Sequence, residues 1–154
     1  TLKDLDSYLR SIWLECCGHL RQFSIGDFGT PEIPKSKKVN DVFSRVSEIM
    51  HIYDFGTSSY TKIKNMGTRK GTHLTTHPIM LMARNLIPEC ECIECGQPAS
   101  WLCMECMIED NVWGVLCDKH KKSHPHKNYD EPIRIVNSPR LGMCGYTGPA
   151  EPPY

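Results

Sequence analysis

The chain has 154 residues, 40% hydrophobic and 23% charged, which suits one compact domain, or a small domain with a satellite, and argues against wholesale disorder. Net charge is zero, so no global field advertises a nucleic acid or a membrane surface. No apolar run is long enough to span a bilayer and no signal-like segment opens the chain, which leads us to expect a cytoplasmic protein with no membrane partner.

Thr1 and Asp4 make an S/T-x-x-D start signal. Thr1 as first residue implies either a removed initiator Met or a start inside a longer protein. Leu2, Leu5, Leu9, Ile12, Trp13 and Cys16 recur at three- and four-residue spacing, so the chain opens with an amphipathic helix, stopped by Gly18. Cys16 lies on the apolar stripe and reads as a small buried hydrophobe rather than half of a reactive pair with Cys17. Residues 19–25 read as a strand that buries Leu20, Phe23 and Ile25, and residues 26–38, with their prolines, glycines and lysines, read as a loop. Asn40 is the expected cap of a short helix reaching Phe43. Residues 46–55 and 59–64 read as two strands joined by a turn at Asp54-Phe55-Gly56-Thr57. That triplet is no kinase signature, because the chain has neither a glycine-rich loop upstream nor a His-Arg-Asp loop. Residues 67–71 enclose Arg69 and Lys70 in a basic turn, and residues 79–83 read as a further strand. Residues 131–154 hold five of the eleven prolines; residues 133–136 can add a strand, and the rest reads as an irregular tail.

Nine cysteines are the most informative count, and seven of them fall between Cys90 and Cys144. Clustered pairs interleaved with histidines read as metal ligands in a reducing compartment rather than as a disulfide framework. In order they are Cys92-x2-Cys95, Cys103-x2-Cys106, Cys117-x2-His120 and His124-x-His126, four pairs within 35 residues. A Cys-x2-Cys turn sets two sulfurs on one side of an ion and a second pair closes a tetrahedron, so eight ligands imply two Zn²⁺. Gly96 suits the tight knuckle after Cys95. Joining consecutive pairs leaves only seven residues between the first two, whereas a cross-brace, first with third and second with fourth, leaves 21 and 17. The latter spacing is the favoured reading, with Cys90 a rival for the place of Cys92. The His124–His126 pair is the weakest of the four.

With all eight positions filled by Cys and His, neither site keeps a place open for water, and neither a His-Glu-x2-His helix nor a deaminase pattern is present. The zinc therefore reads as structural and the module as folded by its metal. Cys144, in a Gly-rich stretch without a Walker pattern, reads as part of an ordinary turn. Zero net charge conceals an asymmetry. Residues 1–88 carry 12 Lys/Arg and 8 Asp/Glu, net +4, and residues 89–154 carry 6 and 10, net −4. An acidic zinc segment is a poor generic phosphate binder, so its Lys119, Lys121, Lys122 and Lys127 read as a solvated face.

Thr1-Leu2-Lys3-Asp4-Leu5, Trp13, Gly18-His19-Leu20 with Phe23, and Tyr53-Asp54-Phe55-Gly56 together resemble the plasmid pRiA4b ORF-3-like family, which includes passenger proteins of insertion elements. The resemblance covers about residues 1–85. The zinc segment and the stretch from Asn137-Ser138-Pro139-Arg140 to Gly148 look like a prokaryotic, often archaeal, subset with a zinc-binding insertion. Two departures stand out: the strand pair with Ile-Trp-Arg that usually precedes the helix is missing, which implies a piece before Thr1, and the acidic residue after Phe-Gly is Thr57. The resemblance implies an α+β fold and transfers no catalytic residue. The zinc segment separately resembles B-box and related cross-brace modules, which mostly mediate protein–protein contacts.

The expected architecture is thus α+β. A helix-plus-antiparallel-sheet domain spans 1–88, a cross-brace two-zinc module spans 89–130, and a strand with an irregular tail spans 131–154. The expected function is non-enzymatic: a zinc-binding protein serving as an adaptor for an unidentified protein partner. One alternative is an RNA- or ribosome-associated protein in which Lys35, Lys37, Lys38, Lys62, Lys64, Arg69 and Lys70 contact phosphates. Another is a transposon-associated enzyme, which needs an open metal position or an acid–base pair.

Overall fold

The computed structural model describes residues 1–142 except Leu14, Cys16, Phe28, His73, Leu74 and Pro88. The expectations for Cys16 and Cys144 therefore lie outside the described residues. The fold is a small α+β one with antiparallel sheets, and the described residues divide into two compact units, 1–83 and 84–142.

In the first unit, helix α1 (Leu2–Trp13) begins where Thr1 Oγ1 donates to Asp4 Oδ2 at 2.7 Å and accepts from the Asp4 N–H at 3.4 Å. Its first N–H groups have no partner within the helix, and the carbonyls of Lys37 and Lys35 accept those of Leu2 and Lys3, both at 2.9 Å. The helix stops at Trp13, short of Gly18. Beyond it the Arg10 guanidinium takes the carbonyls of Glu15 and Cys17, both at 3.1 Å, and holds the exit in a non-helical path.

The sheet runs β2-β1-β3-β4, all antiparallel, with β1 Arg21–Ser24, β2 Glu32–Ile33, β3 Glu48–Tyr53 and β4 Ser59–Lys64. Leu2, Tyr8, Leu9 and Ile12 of α1 share one core with Phe23, Ile49 and Val42, the last from helix α2 (Val39–Phe43). Full burial of each such side chain stabilises by about 1.5–3 kcal/mol. The register sets Phe23 opposite His51 and Ile49 opposite Ile63.

Several expectations need correcting here. Leu20 and Ile25 are exposed, because they flank the four-residue strand and only Phe23 lies inside it on the core face. A two-residue strand, β2, sits within the expected loop and pairs Ile33 with Phe23. The N-cap of α2 is Lys38, without a side-chain cap, and Asn40 lies inside the helix. Residues 79–83 form no strand: Ile79 and Leu81 pack against the core, but no ladder partner meets their backbone. The β3–β4 turn is as expected. Asp54 takes a left-handed conformation (φ 63°) that a short polar side chain tolerates, and its Oδ1 accepts the N–H groups of Gly56 at 3.1 Å and Thr57 at 3.4 Å.

The α1 stripe also carries a charge. Asp6 faces inward and is 3% exposed. Arg21 Nε donates to both its oxygens at 2.9 Å, buried His51 donates through Nε2 at 3.1 Å, and Lys35 Nζ lies 3.9 Å away. Burial alone would raise this carboxyl, but the His51 and Arg21 hydrogen bonds, with the Lys35 and Arg21 charges, outweigh it and hold Asp6 below the ordinary aspartate value.

The second unit has a three-stranded antiparallel sheet, β6-β5-β7, from β5 Trp101–Cys103, β6 Gly114–Leu116 and β7 Ile133–Arg134. Helix α3 (Met104–Ile108) follows β5 and helix α4 (Asp118–Ser123) follows β6. Its apolar cores are small: Leu116 with Cys92, Cys103 and Cys106, and Leu102 with Val115 and Ile135. Residues 137–142 form turns with neither helix nor strand, and hydrogen bonds tie them down. Val136 donates to the Leu141 carbonyl at 3.1 Å, Leu141 to Ser138 at 3.0 Å, and Arg84 and Asn85 are tied to Asn137.

Candidate metal centre

Each Cys/His pair sits where the local fold changes direction. Cys92 and Cys95 lie on a turn in which the Cys92 carbonyl accepts the N–H groups of Cys95 at 3.2 Å and Gly96 at 2.8 Å. Gly96 has φ 69°, a conformation that favours glycine. Cys103 closes β5 and Cys106 lies on α3; Cys117 precedes α4 and His120 lies within it. His124 is the residue after α4, and its N–H still donates to the His120 carbonyl at 2.8 Å.

Tertiary folding then gathers the eight side chains into two groups, Cys92 with Cys95, Cys117 and His120, and Cys103 with Cys106, His124 and His126. Within each group the donor atoms all lie within 4.8 Å of one another. In the first, Cys92 Sγ is 3.4 Å and Cys117 Sγ 3.5 Å from His120 Nδ1, and Cys95 Sγ is 3.9 Å from Cys117 Sγ. In the second, Cys106 Sγ is 3.2 Å from both His124 Nε2 and His126 Nδ1, and Cys103 Sγ is 3.8 Å from His126 Nδ1. A tetrahedral ion with metal–sulfur bonds of about 2.3 Å and metal–nitrogen bonds of about 2.0 Å holds two sulfurs about 3.8 Å apart and a sulfur and a nitrogen about 3.5 Å apart. Both groups fit that figure and can hold a metal ion. None of the five ligand thiols is in a disulfide.

The electrostatics favour a cation at both places. Burial works to raise the Cys92 thiol, but the backbone N–H groups of Cys117 and Glu94, with His120 and Cys95, lower it to about 6. Cys106 is pushed up to about 12, first by burial and then by Cys103 and Asp110. Thiolates packed this closely repel one another, and a divalent ion removes that penalty.

Cys90 is not in the first group; it packs beside Leu102, Val115 and Ile135, and Cys92 holds the ligand position. Among the seven cations proposed for phosphate contact, Lys35 turns in toward Asp6, and Lys62 and Lys64 lie 3.4 and 3.8 Å from Glu48. Lys37, Lys38, Arg69 and Lys70 are exposed, the last two in an irregular segment.

Three residues that sequence reasoning passed over shape the centre. Glu94 Oε1 accepts from His124 Nδ1 at 2.8 Å. Buried Glu105 accepts from the Asn128 backbone N–H at 2.9 Å and from its Nδ2 at 2.7 Å, pinning the chain just after His126. Gly114 is required by space: a Cβ there would lie 2.4 Å from Cys106 Cβ and 2.7 Å from its Sγ. A signal for the two glutamates existed in the shared Cys-x-Glu-Cys pattern of Cys92–Cys95 and Cys103–Cys106.

No helix among the described residues is long and apolar enough to cross a membrane. No family model, curated protein or solved structure matches this chain.

Proposed function

We propose that this chain is a non-enzymatic zinc protein whose second unit serves as a binding module for a protein partner. The observation that carries the reading is the alternation of ligand pairs, with the first and third in one group and the second and fourth in the other. That alternation supports a cross-brace arrangement. Soft thiolates with imidazoles in four-coordinate sets are the ligands Zn²⁺ takes, and four protein ligands per ion make the sites structural, with no position for a catalytic water. Thiols held as ligands suit a reducing, cytoplasmic setting.

A protein partner is supported by Ile93, Ile108, Val112 and Trp113, each about half exposed on the second unit, and by the net −4 of residues 89–154, which disfavours a phosphate backbone. The turning of Lys35 in toward buried Asp6 weakens the RNA alternative at that position. For residues 1–85 we propose membership of the pRiA4b ORF-3-like family, supported by the Thr1–Asp4 helix start and by Tyr53-Asp54-Phe55-Gly56 at the end of β3.

Metal and thiol stoichiometry on the purified chain tests the reading. Two zinc ions, with five thiols protected until a chelator releases them together, is the expected result. One zinc, or an exchangeable water on the metal, overturns it and reopens catalysis. Salt-insensitive capture of a protein supports the adaptor role, whereas salt-sensitive RNA binding abolished by Arg69→Ala with Lys70→Ala moves the assignment to RNA.

A further inference from the structure

We propose that Glu94 couples the two metal sites, acting as the positioning residue through which occupancy of the first prepares the second. This rests on the two-site reading above. Glu94 lies between Cys92 and Cys95, on the knuckle of the first site, yet its carboxylate grips His124 of the second. His124 is 7% exposed, so little water is available to orient its ring. By donating its Nδ1–H to Glu94, the imidazole is fixed in the tautomer that leaves the Nε2 lone pair for the metal, and Nε2 is the nitrogen that faces Cys106 Sγ.

Glu105, at the same place in the second knuckle, supplies the contrast. It holds Asn128 and so stays within its own site, while Glu94 reaches across from one site to the other. An ion bound by Cys92 and Cys95 immobilises the knuckle and with it the Glu94 carboxylate. His124 is then presented in one orientation, and the second ion loses less freedom on binding. Linkage makes the effect reciprocal, so the second ion tightens the first by the same factor.

Titration of the metal-free full chain with Co²⁺ reads both sites. The thiolate-to-cobalt absorption grows with the number of thiolates, so the three-thiolate and two-thiolate sites are separable. Glu94→Ala is expected to weaken the two-thiolate site about 10- to 100-fold. The intrinsic affinity of the three-thiolate site, measured at less than one equivalent, should stay unchanged. Glu94→Gln keeps an acceptor for the Nδ1–H and should restore most of the loss. A role confined to its own knuckle would instead weaken the three-thiolate site. His120→Ala, which removes a ligand of the first site and keeps its three thiolates, should lower second-site affinity in the wild-type background but not further in Glu94→Ala. A wild-type chain that takes up two Co²⁺ while its second site ignores either Glu94→Ala or His120→Ala overturns the coupling alone. A wild-type chain that takes up fewer than two contradicts the two-site reading itself.

Discussion

Residues 1–83 and residues 84–142 reach a folded state by different routes. The first unit packs a helix on a four-stranded sheet, with Leu2, Leu9, Ile12, Phe23 and Ile49 buried together, and places its charged cluster around Asp6 inside that packing. The second has two small apolar clusters, and in one of them three of the four buried members are the candidate ligands Cys92, Cys103 and Cys106. A segment of about 60 residues buries too little apolar surface to stand alone comfortably. Two Cys/His groups that can hold metal ions stand where that core is small, so the two units differ in what their centres are built from: apolar side chains in the first, candidate ligands in the second.

Metal removal should break the comparison most sharply. Structural zinc contributes about 10–16 kcal/mol of folding free energy per site. Chelation is therefore expected to abolish amide protection across residues 92–135 while β1, β3 and β4 keep theirs, as read by hydrogen exchange. Equal loss in both units would show that the first unit does not stand on its own core.

Asp6→Ala is the mirror experiment. It leaves His51 and Arg21 without their buried carboxylate, and breaking such a pair costs about 3–5 kcal/mol, less here to the extent that Arg21 reaches solvent. Denaturant unfolding of the first unit should shift by that order while the metal content stays at the wild-type value.

Acidification separates the units by mechanism. The folded-state value of Asp6 is depressed, so the unfolded chain binds that proton more tightly. Its stabilisation is complete above the unfolded value of about 3.9 and disappears as pH falls through the folded-state value. Ligand thiolates and imidazoles compete with protons earlier, so the second unit should release its metal first, at higher pH. Asp6→Asn should flatten the late acid transition of the first unit and leave the metal-release step unmoved, which circular dichroism and metal content can follow together.

Gly114→Ala probes the second unit without replacing a ligand. The added methyl overlaps Cys106, and overpacking of this kind costs about 1–3 kcal/mol. The expected outcome is weakened or lost metal at the Cys103–Cys106–His124–His126 site only. Lys64→Ala should have the smallest effect, within about 1 kcal/mol, because its ion pair with Glu48 is solvent-exposed.

The sequence by itself pointed to the eight ligand candidates: the x2 spacing of three pairs follows from the reach of a single turn around an ion, while His124-x-His126 carried the weakest signal. It also determined the α1 start and the β3–β4 hairpin, where local signals, a Thr–Asp cap and an Asp-led turn, are strong enough to act alone. Tertiary structure decided what no local pattern encodes. It placed Asp6 on the buried stripe because His51 and Arg21, brought by β3 and β1, satisfy its charge. It denied residues 79–83 a strand, because a strand exists only where a neighbouring backbone meets it. It chose Cys92 over Cys90, set Glu94 of one knuckle on His124 of the other group, and required Gly114 beside Cys106. Each of these depends on the distance between residues far apart in the chain, which is fixed only once the elements pack.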